Sequence, residues 1–248
     1  MTATREPAAL LEVRAISKSF HGLRAVQEAS FDVPAGAIVA LIGPNGAGKT
    51  TCFNLIAGAL QPDGGSVTFG GTRIDGWRAD RICAAGIGRT FQIVKPFPGL
   101  SVLDNVIVGS LLRADSMDEA RRFARTVVER LGLGPKAHAP AATLTLPERK
   151  RLEVARALAT RPRLLLLDEV MAGLRPTECD QMVEVFRELN ARDGLTILLI
   201  EHVMRAVMAL AQQVVVLNFG QVLARGTPAE VVRDPAVLGC YLGEDAEV

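Results

Sequence analysis

Aromatic residues are scarce in this chain: one tryptophan, one tyrosine and nine phenylalanines, 4% of 248 residues. Few surfaces are therefore available on which nucleic-acid bases could stack. An excess of either charge is lacking as well. With 28 basic residues against 27 acidic ones and a net charge of +1, no overall field draws the chain to a polyanion. Nucleic acid is disfavoured as a partner. Cysteine is sparse, and Cys52, Cys83, Cys179 and Cys240 lie far apart, with no paired spacing for zinc or for a redox couple. All four read as ordinary, mostly buried thiols in a reducing compartment. No stretch of about 18 apolar residues runs uninterrupted, and Met1 to Pro7 is polar where a signal peptide would have its apolar core. The sequence predicts a soluble chain that does not span a membrane. Internal repeats and low-complexity stretches are missing too.

Apolar side chains are plentiful, at 49% of residues, enough for a full core in one large domain or in one domain with an insert. Residues 10–20 and 25–33 alternate apolar and polar, and Gly64-Gly65 leads into Val67-Thr-Phe69, the pattern of a small antiparallel sheet. The later runs Leu164-Leu-Leu-Leu167, Thr196-Ile-Leu-Leu-Ile200 and Val214-Val-Val-Leu217 are short, continuous and separated by helical stretches, as buried parallel strands are. Between the two textures, Ser116-Met-Asp-Glu119 reads as a capping box. Ala120, Phe123, Ala124, Val127, Val128 and Leu131 then fall at helical spacing until Gly132. A second helix is predicted from Thr145, with Glu148 three residues on, to about Ala159. The fold class is α/β, one domain over residues 1–248. Its core comprises residues 1–92 and 156–248 with an antiparallel β-subdomain, and residues 93–155 form an inserted helical lobe.

The string that carries chemistry is Gly43-Pro44-Asn45-Gly46-Ala47-Gly48-Lys49-Thr50-Thr51, directly after the apolar run Ile38-Val-Ala-Leu-Ile42. A buried strand that ends in a glycine-rich turn and reopens as a helix makes a cradle for nucleotide phosphates. A triphosphate crowds negative charge onto a short chain, and only backbone N–H groups free of side chains surround it closely. Gly43, Gly46 and Gly48 permit that approach. Lys49 would reach the β- and γ-phosphates, Thr50 would offer its hydroxyl to Mg²⁺, and the helix starting near Lys49 would turn its positive end to the anion. The order strand, loop, helix separates this from a glycine turn with an accidental lysine. It does not separate a kinase, a GTPase, a motor and a transporter engine.

Leu164-Leu-Leu-Leu-Asp168-Glu169 puts two carboxylates at the end of a buried strand, where P-loop proteins hold their metal and attacking water. Asp168 would assist Mg²⁺, often through water, and Glu169 would polarise the nucleophile. Without the glycine loop the pair would read as a polar strand terminus. Gln92 in Arg89-Thr-Phe-Gln92, and His202 after the strand Thr196 to Ile200, are each weak alone, since a lone glutamine is usually a loop residue and a lone histidine usually structural. Their order changes that: glycine loop, glutamine, helical insert, Asp-Glu strand, then histidine after the next strand.

With this order the chain resembles the ATP-binding subunits of ABC transporters across nearly its whole length. The resemblance implies a P-loop ABC-type ATPase core, ATP and Mg²⁺ as cofactors, and ATP hydrolysis coupled to transmembrane solute transport. It assigns the ATP cradle to Gly43–Thr51, the loop glutamine that touches Mg²⁺ and couples to the membrane subunit to Gln92, the strand carboxylates to Asp168 and Glu169, and the switch histidine at the γ-phosphate to His202. The adenine-stacking aromatic aligns with Phe20, which from the residue alone reads equally well as a plain core phenylalanine. Gly86-Ile-Gly-Arg-Thr-Phe-Gln92, Phe97-Pro-Gly-Leu-Ser-Val-Leu-Asp-Asn-Val106, Ala172-Gly-Leu-Arg-Pro-Thr-Glu178 and Tyr241-Leu-Gly-Glu244 resemble the branched-chain amino acid group. Similar ATPases serve importers of urea, short amides and other small polar solutes. The implied partners are a second ATP-binding subunit, two membrane permease subunits and, indirectly, a solute-binding protein. The chain would then sit peripherally at the cytoplasmic face of the inner or plasma membrane. Helical residues near Gln92, including Lys95 to Val106, are expected to receive the permease's coupling helix.

Members of this family close each ATP between one subunit's cradle and the other's Leu-Ser-Gly-Gly-Gln signature. Here the matching residues are Leu144-Thr145-Leu146-Pro147-Glu148. Thr145 keeps a hydroxyl and the following helix still turns its N-terminus to the partner's γ-phosphate, but Leu146 adds bulk and Pro147 has no N–H to donate. One lost charge-assisted bond is worth roughly 1.5–3 kcal/mol, about one to two decades in affinity or rate. The same residues also satisfy a plain capping box with proline near the helix start. Val170, where the family has proline, and Arg175, where it has Asp or Asn at the crossing loop, also alter the inter-subunit geometry. Arg149, Lys150, Arg151 and Arg156 follow on the helix and are expected on a solvated face. The expectation is a heterodimer with two unequal ATP sites. Two other readings stay open. One is a regulatory ATP-binding subunit with a degenerate signature and little turnover, against which Glu169 and His202 argue. The other is an ABC-type ATPase acting on nucleic acid or the ribosome, whose long arms or second cassette this chain lacks.

Overall fold

The computed structural model describes residues 8–92 and 95–242; Met1 to Pro7, and Gly243 and Glu244 of the terminal string, lie outside the described residues. The alternating segments form the hairpin β1 (Ala9–Phe20) and β2 (Leu23–Pro34), followed by the fully buried β3 (Ile38–Ile42) and α1 (Lys49–Ile56). β4 (Gly64–Phe69) and β5 (Thr72–Arg73) complete a four-stranded antiparallel sheet in the order β2-β1-β4-β5. Next come α2 (Ala79–Ala85), β6 (Ile87–Arg89), α3 (Val102–Ser110), α4 (Met117–Arg130) and α5 (Leu146–Ala159). The chain closes with β7 (Leu164–Asp168), α6 (Pro176–Asp193), β8 (Thr196–Ile200), α7 (Met204–Leu210), β9 (Gln213–Asn218), β10 (Gln221–Gly226), α8 (Pro228–Val231) and α9 (Pro235–Leu242). The second sheet has the order β10-β9-β3-β8-β7-β6, parallel except for β10. Because successive side chains of a strand point to opposite faces, Ile38, Ala40 and Ile42 of β3 enter the core beneath the helical elements, while Val39 and Leu41 enter the one shared with the antiparallel sheet and α1. A strand buried on both faces reads as an unbroken apolar run.

Three local expectations change. β6 was not foreseen, since three residues with a central glycine carry too little pattern to declare a strand. Residues Lys95 to Leu100 are not helical, and α3 begins only at Val102, capped by the Ser101 hydroxyl. Pro96 and Pro98 withhold N–H groups and disfavour helical geometry before them. Buried Asn105 staples the turn instead, accepting from Phe97 N–H at 2.8 Å and donating to the carbonyls of Phe97 and Ser101 at 3.0 and 2.9 Å. At α4 the Ser116 hydroxyl accepts from Glu119 N–H as expected, but the Glu119 carboxylate reaches back to the N–H of Asp115 rather than of Ser116. Cys52 and Cys179 are buried, Cys83 and Cys240 half-buried, and all four are free thiols. Among the described residues no helix is long and apolar enough to cross a membrane.

Candidate active site

The motifs leave the carboxyl ends of four consecutive strands. The glycine loop follows β3, His202 follows β8, Asp168 and Glu169 close β7, and Gln92 follows β6. Ile200 is in register with Leu41 on one side and with Asp168 on the other, so these groups start at one height, in the crevice where open α/β sheets bind ligands.

Within the loop, Gly43, Gly46 and Gly48 all have positive φ. A Cβ on Gly43 would fall 2.0 Å from the Leu217 carbonyl oxygen and one on Gly48 2.3 Å from that of Ala25, whereas Gly46 would meet nothing within 4 Å. The outer glycines are thus demanded by packing against β9 and β2, and Gly46 leaves the inside of the turn open. Ala47 is buried and its carbonyl accepts from Gly220 N–H, while Pro44 is half-buried and Asn45 exposed at the rim. Gly48 caps α1, so the unpaired N–H groups of its first turn begin at the loop. Lys49 is buried, and its Nζ donates to the carbonyls of Gly43 and Pro44 at 2.8 and 2.9 Å. Burial lowers its affinity for the proton, and the charges of Glu169 and Asp168 raise it. Thr50 opens onto a cleft of about 490 Å³ shared with Arg89, Gln92 and Asp168, while Thr51 is half-buried beside it.

The far wall of the crevice is a hydrogen-bonded cluster centred on Glu169. One carboxylate oxygen accepts from Gln92 Nε2 at 2.6 Å, and the other lies 2.8 Å from His202 Nε2. The backbone is unusual there: Glu169 has φ +49° and its N–H donates to the Ile200 carbonyl. Asp168 is almost wholly buried, with Oδ2 held 3.2 Å from Arg89, which also donates to Asn54. Burial raises the Asp168 pKa and Arg89 opposes the rise. Its Oδ1 has no hydrogen-bond partner. No cluster of three or more His, Cys, Asp or Glu side chains suited to a metal occurs among the described residues. The oxygens on offer, Asp168 Oδ1, the Thr50 hydroxyl and the amide oxygen of Gln92, suit Mg²⁺ that keeps waters and phosphates as its other ligands.

A family model described as ABC transporter matches residues 26–172, and one described as branched-chain amino acid ATP-binding cassette transporter matches residues 221–247. The high-affinity branched-chain amino acid transport ATP-binding protein LivG of Salmonella typhimurium is 39% identical, over 95% of this chain and 98% of that protein. BraF of Pseudomonas aeruginosa, of the same description, is 38% identical over the same shares. The crystal structure of a nucleotide-free ATP-binding cassette from an ABC transporter superposes with a TM-score of 0.87 at 30% identity, covering 96% of this chain and 100% of that one. This chain belongs to the ABC transporter family of ATP-binding proteins. The ADP conformation of an ABC-transporter cassette superposes nearly as well, with a TM-score of 0.86 at 30% identity over 96% of this chain and 100% of that one. The fold is the ABC cassette fold.

Two parts of the cassette lie outside the crevice cluster. Phe20, at the end of β1, is 39% exposed, with the Lys18 ammonium 5.9 Å from its ring centre, so it is not a plain core residue. The Leu144–Glu148 turn, expected as the signature, caps α5. The N–H and the hydroxyl of Thr145 both donate to Glu148 Oε2 at 2.9 Å, and Glu148 Oε1 lies 2.6 Å from Lys136 Nζ. Leu146 is 41% exposed and Pro147 follows it in the first turn. Arg175, at the start of α6, turns back onto its own Glu178.

The cassette also buries charges that the sequence reading placed in solvent or passed over. Arg149 is exposed as expected, but Lys150 is buried among the site residues, and Arg156 is tied to Glu153. The missed signal was spacing: Lys150, Val154 and Ala157 share one face of α5, and all three are buried. Glu201 was overlooked because it stands beside the more conspicuous His202. It accepts from Met171 N–H at 2.8 Å, and burial pushes its pKa up to about 7.

Proposed function

We propose that this cassette is the ATP-hydrolysing subunit of an importer for branched-chain amino acids or a related small polar solute. It works at the cytoplasmic face of the inner or plasma membrane with two permease subunits and, indirectly, a solute-binding protein. Support for the solute class is the likeness to LivG and BraF along nearly the whole chain. The observation that carries hydrolysis is the Glu169 carboxylate, held between Gln92 and His202 opposite the glycine loop. In this reading the backbone N–H groups of residues 43–51 and the Lys49 ammonium take the phosphates, and Phe20 stacks on the adenine. Thr50, Gln92 and Asp168 hold Mg²⁺, which supplies neutralisation of phosphate charge. Glu169 orients and polarises the attacking water, and His202 contacts the γ-phosphate. Residues 1–92 and 156–248 form the nucleotide-binding core. Residues 93–155 form the lobe that receives the permease, where Phe97, Leu100, Val108 and Leu111 are exposed. The regulatory reading gains no support: the Glu169–His202 pair is intact.

The partner ATPase is a different chain in this reading. The donors of Thr145 are held by its own Glu148, a carboxylate where the partner's γ-phosphate would approach, and Pro147 offers no N–H. The site closed by this turn is therefore the slow one. The test of the central assignment is a pair of variants. Lys49→Ala abolishes ATP binding at this cradle, and Glu169→Gln keeps binding while hydrolysis falls on the order of 10²–10⁴-fold. ATP affinity unchanged in the first, or turnover unchanged in the second, refutes the assignment.

A further inference from the structure

Lys150 has no role in the proposed reaction, yet its ammonium bonds the backbone of two of the site's residues. Only 5% exposed, it projects from α5 and donates from Nζ to the backbone carbonyls of Glu169 at 3.0 Å and Gln92 at 3.4 Å. The side chains of those two residues are joined to each other at 2.6 Å, so each is gripped twice, by its backbone and by its side chain. The grip matters most at Glu169, whose φ of +49° lies in the left-handed region that residues with a Cβ avoid. A small rotation there would swing the carboxylate off the line of the attacking water.

Burial lowers the Lys150 pKa, and the neighbouring carboxylates of Glu201, Glu169, Asp168 and Glu153 oppose the fall. Glu201 is 1% exposed, with one oxygen on Met171 N–H and the other, Oε2, without a hydrogen-bond partner. An apolar side chain of similar length would fill this space with no desolvation cost. What the ammonium adds is orientation of two backbone carbonyls.

We propose that Lys150 is a positioning residue for hydrolysis, fixing the backbones of Gln92 and Glu169 from the helix that carries the signature turn. The proposal rests on the reading of Glu169 as the carboxylate that polarises water. Because α5 is continuous from Leu146 to Ala159, the turn facing a partner's nucleotide and the ammonium holding this chain's own carboxylate ride on one rigid element.

The test compares the full chain, in the complex with which it copurifies, as wild type, Lys150→Met, Lys150→Arg and Glu169→Gln. Affinity is read with a fluorescent ATP analogue, and kcat and KM from phosphate release. Lys150→Met lowers kcat on the order of 10- to 100-fold, with ATP affinity within about threefold of wild type, and Lys150→Arg restores most of the rate. Wild-type kcat in Lys150→Met, a loss of affinity that accounts for the whole effect, or an arginine form as slow as the methionine form overturns the proposal. If Lys150→Met does not fold, Lys150→Gln takes its place, an uncharged side chain one atom shorter than lysine: a lowered kcat at unchanged affinity supports the proposal, and wild-type kcat overturns it. Full hydrolysis by Glu169→Gln removes the underlying assignment of Glu169 and the proposal with it. An inactive Glu169→Gln beside a fully active Lys150→Met removes the proposal alone.

Discussion

Glu201 shows what burial does to a single side chain. An ordinary glutamate has a pKa of 4.5, and in this interior desolvation drives it to about 7, against the pull of the Met171 and His202 N–H groups. Between those two values the native state keeps a proton that the unfolded chain has released. Stability therefore falls as pH rises through that window, and above it the full cost, about 3 kcal/mol, is present. Glu201→Gln keeps an acceptor for Met171 and has no charge to desolvate. Melting temperatures followed from about pH 5 to pH 8 should fall for the wild type and stay nearly level for the variant; equal slopes would rule out Glu201 as the source. At this scale the glycines were legible only in part. The string Gly43 to Gly48 announces a phosphate cradle, but three identical residues have two different reasons, which depend on carbonyls of β9 and β2 far off in sequence.

Elements were legible wherever the signal was periodic and capped. α4 and α5 begin within a residue of their predicted starts, because a hydroxyl three positions before a glutamate and an apolar stripe at helical spacing are properties of a short stretch of chain. β6 and the turn before α3 escaped for the opposite reason. A three-residue strand has no period, and its place at the sheet edge is set by pairing with β7. The N-terminus of α5 also carries a prediction. On the proposal of unequal sites, Pro147→Gly returns an N–H to the Leu144–Glu148 turn, and turnover at the ATP site that this turn closes should rise by about tenfold. The measurement is phosphate release from the assembled complex with this chain's own Glu169 changed to Gln, so that only the site closed by the Leu144–Glu148 turn contributes. No increase would mean that Leu146 or Glu148, rather than the missing donor, limits that site.

For the whole molecule, the proposal that the crevice is half of a composite site with unequal halves is measurable. With Glu169→Gln in this chain, most ATP turnover of the complex should disappear; with the partner's equivalent substitution, most should remain. Equal losses would show two equivalent sites and end the unequal-site proposal. The sequence by itself determined the family, the glycine loop between strand and helix, and the order of the motifs, because a strand-loop-helix string, a run of buried leucines and a capping box each act over a few residues. Only the tertiary structure decided what the charges do. Lys150 and Glu201 acquire their states from groups brought together by the order β8-β7-β6 and by α5 lying against it. The two carbonyls that Lys150 grips lie 19 and 58 positions away along the chain. Desolvation depends on everything packed around a charge, and that is a property of the assembled fold.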